Sequence, residues 1–187
     1  SVRAEIEAAS AASSKGISRD TLLAAMKPGA ARNAVDCALW DLEAKRRGMR
    51  VAQLARVTVP SDAQVTCYTL SLGAPDEMAA KARAAHDKSL LKIKLGAAGD
   101  AERMRAVRAA RPDARLVADA NEGWTGDTLG PLLAVAAECR FELVEQPLPA
   151  GADEGLAGIV SGVPICADES AHTRRDLERV KRLYRAV

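Results

Sequence analysis

The chain has 187 residues, with 27 Lys and Arg against 25 Asp and Glu and 48% hydrophobic residues. That apolar content excludes an intrinsically disordered chain, and a net charge of +2 with no basic block gives no footing for nucleic acid or a membrane surface. No apolar run reaches the length of a bilayer-spanning helix.

Residues 1–29 are rich in Ala and Ser with weak helical periodicity, and Lys27-Pro28-Gly29 separates them from the next helical segment. A helix is predicted over 31–47: Val35, Ala38, Leu39 and Leu42 share a face, and Gly48 supplies a left-handed stop. From Val65 onward strands and helices alternate. Strands are predicted at 65–72, 90–95, 116–118, 141–144 and 163–167. Helices fall between them, opened at Pro75-Asp76-Glu77, from about Asp100 to before Pro112, over 127–138, and briefly over 154–160. Thr173-Arg174-Arg175-Asp176 is a capping-box signature ahead of Leu177, Val180 and Tyr184, and Ala186-Val187 falls where a sixth strand is expected to begin. Cys37, Cys67, Cys139 and Cys166 are far apart with no Cys-x-x-Cys. Two of them, Cys67 and Cys166, fall in predicted strands, so buried free thiols in a reducing cytoplasm are expected.

Strands alternating with helices imply an α/β fold of parallel strands joined by right-handed crossovers. A doubly wound sheet and an eight-fold barrel both satisfy that order. Charges at the C-terminal ends of several successive strands favour the barrel, because an open sheet gathers its site at one switch point. A complete barrel takes roughly 250 residues. The expectation is therefore a partial (β/α)8-type (TIM) barrel of about five units, after an N-terminal helical segment.

The chemistry gathers on the second strand, Leu90-Leu91-Lys92-Ile93-Lys94-Leu95. Alternation puts Lys92 and Lys94 on one face and Leu91, Ile93 and Leu95 on the other. Two ammonium groups side by side repel, so the pair needs anions nearby or a task for a neutral lysine. Asp119, Glu145 and Asp168 supply the anions, each directly after a short apolar run. Three carboxylates at one barrel mouth suit a hard cation, Mg2+ with Mn2+ as substitute, and no His belongs to the cluster to favour zinc. Taken singly, an Asp after a strand is more often a turn former. Asn121 and Glu169 stand next to these positions, where they either orient the ligands by hydrogen bonds or cap ordinary loops. Lys94, nearest the strand end, suits a general base. Thr69, on one face with Val65, Cys67 and Ser71, is placed to donate to a substrate, although Thr is common in strands for packing reasons alone. His86 and His172 sit in no nucleophile motif, no phosphate-binding glycine motif is present, and Trp40 and Trp124 read as packing residues.

With Lys92-Ile93-Lys94, Asp119-Ala120-Asn121, Glu145-Gln146-Pro147 and Asp168-Glu169-Ser170 in this order, the chain resembles the enolase superfamily in its muconate-lactonising branch. Tyr68-Thr69-Leu70-Ser71 and Ala38-Leu39-Trp40-Asp41-Leu42 make it most similar to the dipeptide epimerases of that branch. The superfamily is generally described as using a Lys or His base with Mg2+ to stabilise an ene-diolate, so that mechanism comes with the resemblance and is not read from these residues. The resemblance implies that Asp119, Glu145 and Asp168 bind Mg2+ and that Lys94 moves the α-proton beside a carboxylate. It further implies that Lys92 neutralises that carboxylate and that Thr69 contacts a small dipeptide of L-Ala-D/L-Glu type. It makes residues 1–29 a helical remnant of a capping domain and 30–187 the partial barrel. The opposing lysine and an ammonium-binding Asp-x-Asp pair are expected on later strands, past Val187. A five-unit barrel exposes strand edges, so the chain is expected to aggregate or form a homo-oligomer and to turn over poorly. An o-succinylbenzoate synthase, a cycloisomerase, or an inactive metal-binding fragment share the same residues and stay open as alternatives.

Overall fold

A computed structural model describes residues 1–12, 16–60 and 63–187. Two compact units divide between Gln64 and Val65.

In the first unit, α1 spans Val2–Ala12, α2 Arg19–Ala25, α3 Ala30–Arg46 and α4 Val51–Leu54. Ser18 caps α2 by accepting from the Thr21 amide, while the Thr21 hydroxyl accepts from the Ser18 amide. Leu22, Met26 and Ala31 form a small core on which Val35 and Leu39 of α3 pack, whereas Ala38 and Leu42 of the predicted face are exposed. The first compact unit runs to Gln64, and Val35 and Leu39 of α3 share its core with Ile6 and Ala9 of α1 and Leu22 of α2. Trp40 lies under the Arg19 guanidinium at 3.8 Å, and Arg19 also pairs with Glu43 at 2.6 Å. The expected helices over 1–29 include positions 13–15, which lie outside the described residues.

In the second unit, β1 (Tyr68–Leu70), α5 (Pro75–Ala84), β2 (Leu90–Lys94), α6 (Asp100–Ala110), β3 (Arg115–Asp119), α7 (Gly126–Glu138), β4 (Leu143–Glu145), β5 (Ile165–Cys166) and α8 (Leu177–Leu183) succeed one another. A 3-10 turn at Asp153–Leu156 stands between β4 and β5. Helix ends match their local chemistry. Pro75 opens α5 with Asp76 and Glu77 in its first turn and Lys81 and Arg83 in its last, each complementing the helix dipole. Thr125 and Thr128 cap α7 reciprocally.

All five strands are parallel and stand in sequential order, β1-β2-β3-β4-β5. Sequential order without reversal is the progression of a barrel, and the unclosed sheet is a partial (β/α)8-type barrel. Ala186 makes a parallel bridge to Cys166, so pairing continues where a sixth strand was expected. On the helix side of the sheet, Leu91, Ile93, Leu116, Ala118 and Val144 are fully buried in one cluster with Met78, Met104, Val107 and Leu129. Truncating such a residue to Ala costs about 2–5 kcal/mol. The opposite face carries Lys92, Lys94, Asp119, Glu145 and Cys166, aligned by the register pairs Lys94↔Asp119, Asp119↔Glu145 and Glu145↔Cys166.

Several expectations change: the helix expected over 154–160 is only the 3-10 turn at Asp153–Leu156, and the strand expected over 163–167 is only Ile165–Cys166. The first strand is shorter than 65–72, because as the sheet edge it pairs only with β2, over Tyr68–Leu70. Cys67 consequently lies outside the strand and is exposed, as is Cys37, while Cys139 is buried. The last helix starts at Leu177, with Thr173 donating its amide to the Asp176 carboxylate at 2.7 Å across the preceding turn.

Candidate active site

Alternation on β2 puts both lysines over the charged face, and register then fixes their partners. Lys92 Nζ lies 2.8 Å from Asp119 Oδ2 and 2.7 Å from Glu145 Oε2. Lys94 Nζ donates to the same Asp119 oxygen at 2.6 Å and to Asn121 Oδ1 at 3.0 Å. The other Asp119 oxygen accepts the Asn121 amide at 3.1 Å. Asp119 is 1% exposed, so this buried carboxylate is held on both oxygens.

The charges respond to one another. Burial pushes the Asp119 carboxyl up, but hydrogen bonds from Lys92 and Lys94 outweigh it and hold the group below the usual carboxylate range. For Lys92, burial acts to lower the ammonium pKa, and the hydrogen bonds and charges of Asp119 and Glu145 reverse this and hold it above its ordinary value. Glu145 goes the other way. Burial raises it, and the negative charges of Asp119 and Asp168 add to that rise against the hydrogen bond from Lys92.

Thr69 is the register partner of Lys92 and stands on the edge strand over the same face. Asp168 lies two residues past Cys166 and is exposed. Glu169 has a buried carboxylate oxygen, Oε2, with no hydrogen-bond partner. Among the described residues no three Asp, Glu, His or Cys side chains are gathered into a finished metal shell. The donor set still fits a hard divalent cation. It is made of oxygens alone, Glu145 is raised by burial and then by its carboxylate neighbours, and an ammonium already seats between Asp119 and Glu145 at cation-like positions.

The loops that carry these groups are strained and interlocked. Asn121, Glu122 and Gln146 have φ of 44°, 63° and 36°, in the left-handed region that non-glycine residues avoid. Gly96, just past Lys94, approaches Gly123 so closely that a Cβ on Gly123 would lie 2.4 Å from the Gly96 Cα. Trp124 is buried and donates to Asp100 at 2.8 Å, which fits its reading as a packing residue. Gln146, which received no role from the sequence, is wholly buried. Its signal was a polar residue between a strand-end carboxylate and Pro147, in a segment otherwise fit for a core, where a buried amide must find partners.

Residues 77–184 match the family described as "Enolase C-terminal domain-like", and residues 2–55 match "Mandelate racemase / muconate lactonizing enzyme, N-terminal domain". The chain is 42% identical to the L-Ala-D/L-Glu epimerase of Escherichia coli K12 over 100% of its own length and 59% of that protein's. An Agrobacterium tumefaciens enolase family member with homology to dipeptide epimerases, solved with sodium and L-Ala-L-Glu bound, is 52% identical. The match covers 98% of this chain and 56% of that one, with a TM-score of 0.90. A Cytophaga hutchinsonii dipeptide epimerase complexed with Mg and D-Ala-L-Val is 28% identical over 86% of this chain and 45% of that one, with a TM-score of 0.78. The chain thus spans somewhat more than half the length of the Escherichia coli and Agrobacterium tumefaciens relatives.

Proposed function

We propose, given that the chain belongs to the enolase C-terminal domain-like family, that it carries the metal-binding and proton-transferring face of an Mg2+-dependent epimerase acting on a dipeptide. The observation that carries this reading is the pairing of Lys94 with a buried carboxylate that Lys92 also holds.

The α-proton beside a carboxylate is very weakly acidic, so the negative charge that develops on its removal must meet positive charge already in place. Lys94 stands at the C-terminal end of β2, where its neutral amine takes the α-proton and its ammonium form returns it. Asn121 and Asp119 fix the direction of its Nζ. Lys92, protonated under the influence of Asp119 and Glu145, offers its charge to the substrate carboxylate, and Thr69 contacts substrate from the neighbouring strand. Asp119, Glu145 and Asp168 would hold the divalent cation, with Asn121 and Glu169 orienting them. When bound, the cation would supply further positive charge to the substrate carboxylate. A dipeptide substrate is favoured by all three relatives, and the L-Ala-D/L-Glu type by two of them, the Escherichia coli epimerase named for it and the Agrobacterium tumefaciens protein that holds L-Ala-L-Glu.

Deuterium incorporation at the α-carbon of L-Ala-L-Glu in D2O with Mg2+ tests the reading. Exchange is expected in the wild-type chain and is expected to fall about 10²–10⁴-fold in Lys94→Ala, which removes the acid–base group. No exchange in the wild type, or equal exchange in Lys94→Ala, would overturn it.

A further inference from the structure

We infer that Gln146 is a positioning residue that ties the three carboxylate-bearing loops into one arrangement, and so sets the affinity of the charged face for a divalent cation. The inference rests on the proposed metal role of Asp119, Glu145 and Asp168.

Gln146 is the residue directly after Glu145, so any movement of its backbone is transmitted to that carboxylate. Its own amide donates to Cys166 O at 2.9 Å, and its carbonyl accepts from Glu122 N at 2.8 Å. The first bond fixes it to the strand before Asp168, the second to the loop after Asp119. The side chain adds the third tie. Oε1 accepts from Asp168 N at 3.0 Å and from Ser170 N at 3.1 Å, the two amides that flank Glu169. One carboxamide oxygen therefore sets the turn on which Asp168 is carried.

The donor end of the carboxamide faces the other way. Nε2 lies 2.8 Å from Leu148 O, 2.9 Å from Ser170 Oγ and 3.0 Å from Tyr184 OH. Two hydrogens cannot serve three acceptors, and the 3.1 Å contact between Ser170 Oγ and Tyr184 OH occupies the hydroxyl left over. Behind this layer Arg179 pairs with Asp153 and donates to Ser170 O at 2.9 Å. Acceptor and donor functions are thus separated on one side chain: Oε1 governs the Asp168 turn, Nε2 anchors Gln146 to the packing behind it. Asn is one methylene too short to span both, and Glu would set a carboxylate against Leu148 O. The left-handed φ of 36° is held by these bonds.

A buried glutamine that merely satisfied its own polar atoms would change stability alone when altered. A positioning residue must also change cation binding. Mn2+ titrated into the metal-free chain by calorimetry separates the two, with Gln146→Met removing both ends of the carboxamide and Tyr184→Phe removing a partner of the donor end only. Gln146→Met is expected to lose about 10–100-fold in Mn2+ affinity, while Tyr184→Phe melts lower but stays within about threefold of wild type. Equal affinity in Gln146→Met and wild type overturns this inference and leaves the proposed function standing; so does an equal loss in both variants. A wild-type chain that binds neither Mn2+ nor Mg2+ overturns the metal reading and this inference with it. Should Gln146→Met not fold, amide hydrogen exchange in the metal-free wild type decides: Asp168 and Ser170 are expected to be protected before any cation is added, and free exchange at both overturns the tie.

Discussion

Lys94 and Asp119 are register partners on adjacent parallel strands, and their side chains meet at 2.6 Å on the face opposite the helices. The same Asp119 oxygen holds Lys92, so one buried carboxylate organises both lysines. Asp119→Asn puts a neutral group between two ammoniums and is expected to cost about 1–3 kcal/mol of stability, read in urea melts. The pH dependence has a fixed sign. Because the folded carboxyl lies below the unfolded value of about 3.9, its contribution is full above that value and is lost as pH falls below it. The wild-type advantage over Asp119→Asn is therefore expected to shrink below about pH 4, and an advantage that grows on acidification would show that the two lysines do not stabilise the charge.

Cation binding is expected to stabilise the chain. At a Mg2+ concentration 100 times the dissociation constant the gain is about 2.7 kcal/mol, reversed by EDTA. Asp168 is exposed and contributes little to packing, so Asp168→Ala is expected to leave the cation-free melting temperature near that of wild type and to abolish the Mg2+ shift. Persistence of the full shift in Asp168→Ala would remove that residue from the cation site.

Two glycine substitutions are expected to act in opposite directions. A Cβ at Gly123 meets the Gly96 backbone at 2.4 and 2.5 Å, and backbone cannot swing away as a flexible side chain can. Gly123→Ala is expected to cost about 3 kcal/mol or more. Gly126, at the start of α7, has nothing within 4 Å of the added carbon, so Gly126→Ala is expected to gain about 0.5 kcal/mol. Thermal melts of the two variants check both signs.

Arg111 is buried and joins the end of α5 to the β2–β3 region. It donates to Ala85 O at 2.6 Å and Lys88 O at 2.9 Å, and both oxygens of Asp113 accept from it. Arg111→Met removes the donor to Lys88 O and one of two donors to Ala85 O, which still accepts from Lys88 N, and is expected to cost about 1–3 kcal/mol. The Arg111 hydrogen bonds hold the Asp113 carboxyl down at about 2. This depressed value means that the pair's contribution is complete above about pH 4 and is lost as pH falls toward 2. Urea melts of wild type and Asp113→Asn are expected to converge over that range; a constant gap would assign the stabilisation to something other than the ion pair.

Much of the fold was legible because it is encoded locally. The period-two alternation of Leu91, Lys92, Ile93 and Lys94 told the two sheet faces apart, and Asp119, Glu145 and Asp168 each stand after an apolar run, at the C-terminal side of β3, β4 and β5. Pro75 marks a helix start by chemistry confined to one turn. The length of β1 was not legible, because pairing on one side only is a property of the sheet edge and not of the residues 65–72.

The site divides in the same way. Sequence alone determined which residues carry charge, which share a strand face and which donor chemistry they offer a cation, since residue type and alternation decide these. Only the tertiary structure decided that Lys92 bridges Asp119 to Glu145, that Gly96 and Gly123 interlock, and that Gln146 reaches the Asp168 turn. Each of those contacts joins residues 22 or more positions apart, and the register of parallel strands and the packing of the loops above them, not any local preference, bring such residues together.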